Sequence, residues 1–207
     1  MIGLVEEAAE DLVGRRERFE EKVAGLRGRC VTGVGYWGIH TYSSEPLCWD
    51  YGDWHHVVMG LELITDGGPV TVTWTKTFYP YGVEVFFHPI ARYLLLGDEG
   101  PQRVGPDRLG PWAPLLCSPI VDAVTCWDRL DFGSQTQADG LVVSPARSVD
   151  LPTALRVDFE AGSAWFVAAV PQPPAMESVF IPGDEIMAVF SADKMRSLGY
   201  LDPQLVI

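Results

Sequence analysis

Basic residues are scarce in this chain. Its 207 residues hold 15 Lys and Arg against 28 Asp and Glu, a formal net charge of −13. A surface of that sign repels a phosphate backbone and an anionic bilayer, which argues against general nucleic-acid binding and against membrane docking. Cysteine is sparse as well. Cys30, Cys48, Cys117 and Cys126 form no CxxC pair and match no zinc-ligand spacing. Cys30 and Cys126 sit in apolar runs, where a thiol behaves as a small hydrophobe. No stretch reaches the roughly 20 apolar residues of a membrane span. Residues 1–18 are charged and lack the apolar centre of a signal peptide. A cytoplasmic location is the expectation. Cofactor fingerprints are missing too: there is no GxGxxG, Walker loop or GxSxG, so no cofactor is expected.

What is present is ordinary for a folded domain. Hydrophobic residues make up 47% of the chain and charged residues 21%, enough for a substantial core. Residues 3–27 read as one helix. Val5, Leu12, Phe19 and Leu26 recur every seven residues, Ala9 and Val23 fill the same stripe, and Arg16 interrupts it. Gly28 is a natural stop. Such a stripe packs on a sheet; its alternative use is a homodimer contact.

After Gly28 the pattern turns to short strands punctuated by Gly and Pro. Residues 57–63 and 70–74 flank a turn at 65–69 and predict a hairpin. Residues 154–160 and 164–170 predict a second. There Leu155, Val157 and Phe159 face one way, Arg156, Asp158 and Glu160 the other. Residues 28–37 (GRCVTGVGYW) align without gaps on 118–127 (SPIVDAVTCW), matching Trp37 to Trp127. Residues 61–72 align on 155–166 with nearly the same offset. The expected fold is α+β and β-rich: mostly antiparallel sheet from a duplicated strand–loop–hairpin unit, with a helix near each terminus. The expected division is the helix at 1–27, a first unit at 28–96, a Gly/Pro-rich linker at 97–117 and a second unit at 118–207, in one compact domain. Further strands are expected at 83–87 and 186–190. Ser191 should cap a short helix ending near Gly199.

The two units differ in chemistry. All four histidines, His40, His55, His56 and His88, lie between residues 36 and 93, with six of the seven tyrosines and four of the seven tryptophans. The densest run is Cys48-Trp49-Asp50-Tyr51-Gly52-Asp53-Trp54-His55-His56. Adjacent histidines on a strand face opposite sides, so His55 and His56 do not make a metal pair, and no metal is expected. Acid–base chemistry would draw on His55, His56 or His88 with Asp50 or Asp53. The alternative is an aromatic recognition surface of Trp49, Tyr51, Trp54, Tyr79 and Tyr81, with Tyr51, Trp54 and Tyr81 exposed among Gly, Pro and Asp.

The acidic balance, Trp-ended strand units and Pro/Gly-rich loops make the chain similar in composition to bacterial proteins that include toxin-neutralising ones. That resemblance assigns no residue; it implies a binding role. The leading expectation is a non-catalytic protein-binding module, immunity- or antitoxin-like, that engages a basic protein partner. The alternative is a small enzyme or ligand carrier with a pocket of Trp54, His55, Tyr79, Tyr81 and His88.

Overall fold

The computed structural model describes residues 12–39, 48–75, 77–78, 80–94, 100–106, 109–138, 140–172, 176 and 178–200. Helix α1 (Leu12–Ala24) leads into β1 (Val31–Gly38), then β2 (Trp49–Asp50), β3 (Trp54–Val58), β4 (Gly60–Thr65), β5 (Gly68–Thr75), β6 (Gly82–Phe86) and β7 (Gln102–Val104). The second half runs through β8 (Ile120–Phe132), β9 (Gln135–Thr136), β10 (Val142–Ser144), β11 (Arg147–Phe159), β12 (Gly162–Ala168), β13 (Val170–Pro171), β14 (Val179–Phe180), β15 (Ile186–Val189) and α2 (Ala192–Ser197). One sheet has the order β6-β5-β4-β1-β7, the other β2-β3-β15-β12-β11-β8. All the pairings are antiparallel. The expected α+β, β-rich class is what forms.

Alternation decides the layers. Val34, Tyr36, Leu61, Leu63, Val70 and Val72 from the first sheet share one core with Leu155, Val157, Phe166, Ile186 and Ala188 from the second. The two inner faces therefore close on each other as a sandwich. Phe19, Val23 and Leu26 of the N-terminal stripe lie in the same core. Phe19 meets the rings of Phe78 and Trp127 edge-on, at 5.4 and 5.8 Å. Lys22 reaches the buried Glu84 of β6 at 3.2 Å. The stripe that a helix dimer would use is spent inside the protomer; residues 3–11 lie outside the described ones. No described helix is long and apolar enough to cross a membrane.

Both hairpins form, and their turns correspond. Leu61 pairs Val72 and Thr65 pairs Gly68; Leu155 pairs Phe166 and Phe159 pairs Gly162. The strand before each hairpin carries one extra residue, Thr32 in β1 and Val121 in β8, at the same place in the ladder. Hydrogen bonds relate the units by a quasi-two-fold at the Cys30–Pro119 bridge. Gly28 N–H donates to Ile120 O at 2.8 Å, as Cys117 N–H does to Val31 O at 2.7 Å. Asp66 N–H donates to Cys30 O at 3.1 Å, as Glu160 N–H does to Pro119 O at 3.2 Å. This equivalence of pairing supports the two-copy reading as a proposal.

Three expectations are corrected. Trp37 does not correspond to Trp127: it pairs Gly60, whose counterpart Ala154 pairs Cys126. A one-residue slip reverses the face, so Trp37 joins an outer cluster while Trp127 packs on the core beside α1. The strand expected at 57–63 is two strands in different sheets. The chain turns at Val58 (φ 66) and Gly60 (φ 138), and a Cβ on Gly60 would lie 2.6 Å from Val72 O. The segment read as a linker supplies β7, paired to β1, and the fully buried Trp112. Elsewhere, β6 and β15 match the expected strands within a residue or so. The Ser191 side chain accepts from Lys194 N–H to cap α2.

Candidate functional site

The dense aromatic run folds as a tight hairpin. Asp50 pairs His55, and Trp49 pairs His56. Asp50 Oδ1 accepts from Gly52 N–H at 2.8 Å, closing a turn in which Gly52 takes φ 89. Tyr51 and Asp53 are exposed at this turn. Strand alternation then divides the side chains: His55 points into the sandwich, while Trp54 and His56 point outward.

His55 is the centre of a buried chain. Trp112 Nε1–H donates to Tyr36 Oη at 2.6 Å, and Tyr36 Oη lies 2.5 Å from His55 Nδ1. The phenol has one proton, and its oxygen already accepts from Trp112. It therefore donates to Nδ1, which leaves the imidazole proton on Nε2. Nε2 lies 3.3 Å from Asp50 Oδ1, near enough for attraction but outside hydrogen-bond geometry. Burial lowers the His55 pKa, against the opposing pull of Asp50. Burial also pushes the Tyr36 phenol far up. A neutral imidazole and a phenol that does not ionise, both held by fixed partners, make a structural network rather than an activated nucleophile.

The outer face holds two further arrangements. His56 Nε2 meets Glu185 Oε2 at 2.6 Å, and the Trp49 ring stacks on His56 at 5.0 Å. Trp54 is only 5% exposed, in a cluster with Trp165, Met187, Val189, Met195 and Tyr200. The expectation of an exposed Trp54 is corrected: its neighbour across β15 is Val189, and α2 covers it. Lys194 of α2 lies 4.9 Å over the Trp54 ring. Tyr51 stacks flat on that anchored indole, at 4.1 Å and 11°, and is itself 39% exposed.

The remaining expected site residues are scattered. Tyr81 is half-buried, edge-on to Trp74 at 5.4 Å. His88 is exposed, its carbonyl accepting from Thr71 Oγ1 at 2.6 Å. Tyr79 and His40 lie outside the described residues. The pocket expected from Trp54, His55, Tyr81 and His88 is not assembled, because these residues occupy opposite faces and different sheets. A small recess of about 20 Å³ lies between Met59, Trp74, Ile90 and Tyr93 instead. Among the described residues no group of three His, Cys, Asp or Glu is placed to hold a metal ion.

Tyr36, Trp112, Glu185 and Lys194 were not singled out from sequence. A Trp inside a Gly/Pro-rich segment was the available signal for Trp112. Glu185 lies 129 residues from His56, and nothing in either segment announces the other. No protein family model, curated protein or solved structure matches the chain.

Proposed function

We propose that the chain is a non-catalytic protein-binding module and that the β2–β3 turn is its contact point for a basic protein. The observation that carries this reading is the Tyr51 ring, held flat on a core tryptophan and presented to solvent between Asp50 and Asp53. A ring fixed in this way loses little conformational freedom on binding, and Tyr is enriched among residues that dominate interface energies. Acidic groups around an aromatic contact favour a cationic partner and speed its approach. An immunity- or antitoxin-like role fits this chemistry.

The test begins with a protein that copurifies at low salt. Tyr51→Ala is expected to weaken its binding by about thirtyfold, roughly 2 kcal/mol, with the melting temperature unchanged. The association rate should fall as salt rises. Unchanged affinity in Tyr51→Ala rejects the assignment. The alternative, a ligand carrier, has its own support. The buried indole N–H groups of Trp37 and Trp74, in the cluster behind the recess, have no hydrogen-bond partner among the described residues. A ligand there would be apolar with a hydrogen-bond acceptor.

A further inference from the structure

Strands β8 and β11 run far beyond the sandwich. Their far ends carry the β9–β10 hairpin, in which Val142 pairs Thr136 and Ser144 pairs Gln135. Of the described residues between 133 and 148, all but the half-buried Ser144 are exposed. This arm therefore draws nothing from the core, and a two-stranded ribbon alone in water is marginal. Its β10 side nevertheless presents Leu141, Val142 and Val143 consecutively, 60%, 55% and 52% exposed. Three exposed apolar residues in a row are unusual on a surface unless something covers them.

Among the described residues β10 has one neighbouring strand, β9. Natural edge strands are blunted by shortness, Lys, Pro, inward-facing charge or a bulge. β10 is three residues long, with a register shift between Val142 and Ser144 and Pro145 after it, but no charge guards it. Residues 140–144, Gly-Leu-Val-Val-Ser, carry no charge, and two β-branched residues favour an extended backbone. The arm also departs from the rest of the chain electrostatically. Residues 133–146 contain one ionisable side chain, Asp139, in a chain of net charge −13. A basic partner would find almost nothing there to pair with. A second copy would meet the one extended element where the two acidic bodies need not face each other.

We propose that β10 pairs with β10 of a second copy, antiparallel about a two-fold axis at Val142. An antiparallel pair of identical strands is self-complementary: Val142 faces its counterpart, and Leu141 faces Val143 on each side. The two hairpins become a continuous four-stranded sheet, and the exposed aliphatic residues are covered by their own kind. The buried area is below that of a standard interface, so the affinity is on the order of micromolar. This contact is separate from the Tyr51 turn and does not rest on the function proposed for that turn.

Sedimentation velocity on the full chain over about 1–100 μM, a range that brackets that affinity, tests the pairing. A reversible monomer–dimer equilibrium is expected. Val142→Lys places like charges opposite each other at the axis and should leave a monomer throughout. A second variant, with residues 134–145 replaced by Asn-Gly, should also be monomeric. Both should melt as the parent does, because the arm has no core contacts, whereas Tyr51→Ala should dimerise normally. A parent chain that stays monomeric over the whole range overturns the proposal. So does a Val142→Lys or arm-trimmed protein that dimerises like the parent.

Discussion

Removing one oxygen atom at Tyr36 tests the reading of the buried chain. Tyr36→Phe keeps the ring, 1% exposed, in place. It deletes the hydroxyl that accepts from Trp112 Nε1–H and donates to His55 Nδ1. Two buried polar atoms then lose their partner at once. Each such orphan costs about 1–3 kcal/mol. The phenol no longer needs desolvating, which returns part of the loss and leaves about 3 kcal/mol of net destabilisation. For a chain of this size that lowers the melting temperature by about 6–12 °C. Urea unfolding followed by circular dichroism measures it directly, with Tyr51→Phe on the surface as a control expected within about 0.5 kcal/mol. A double-mutant cycle with Trp112→Phe separates the shared hydroxyl from lost packing. The combined loss should fall short of the sum by about 1 kcal/mol or more. A Tyr36→Phe loss below about 1 kcal/mol, or strict additivity in the cycle, would show that the chain of contacts carries no joint energy.

The same histidine makes stability depend on pH. Its folded pKa lies below the usual 6.5 because burial disfavours the imidazolium. The unfolded chain therefore takes up the proton first. Stability from this group is whole above about pH 6.5 and declines as pH falls toward the folded pKa, by up to about 1.4 kcal/mol per pH unit. His55→Gln should flatten that slope just below about pH 6.5, and an unaltered slope assigns it to other groups. Trp54→Ala should cost about 3–5 kcal/mol as a core deletion, while Tyr51→Ala costs under about 1 kcal/mol; comparable losses in the two would contradict the anchored-ring geometry. Gly60→Ala should destabilise by about 3 kcal/mol or prevent folding, since its Cβ would strike Val72 O. Gly52→Ala, also at positive φ but with nothing within 4 Å, should cost only about 1 kcal/mol. Equal losses at the two glycines would refute the steric account.

Local alternation was legible wherever one face of a strand is buried and the turn is short. That is why the hairpins around Asp66 and Glu160, the final strand and the Ser191 cap could be read directly. Faces were lost where an extra residue entered a ladder. Thr32 and Val121 shift the strands that end in Trp37 and Trp127, and a gapless alignment does not register a bulge. The sheet change at Val58 and Gly60 was hidden because the residues on either side, Val57, Val58, Met59 and Leu61, are all buried and apolar, so no break in pattern marks it. At the β2–β3 hairpin, alternation separated His55 from His56. Trp54 was misplaced, because the cover comes from Val189, Met195 and Lys194, far along the chain. The Trp112–Tyr36–His55 chain joins three elements from separate regions, and such convergence leaves no local trace.

The seat of β3 has a consequence for how the protein is made. In the second sheet β3 lies against β15, and β15 separates it from β12. The aromatic hairpin is synthesised before β15, yet its place in that sheet exists only once residues 186–189 have emerged. Contacts this distant in sequence are slow to form. A nascent or truncated chain ending before Ile186 would present two open sheet edges, on β3 and on β12, and one uncovered face of Trp54. A chain cut before Ile186 should therefore be recognised by chaperones, whereas one that includes β15 and α2 should not. β15 therefore works as a latch: the second sheet closes only when residues 186–189 take their place between β3 and β12.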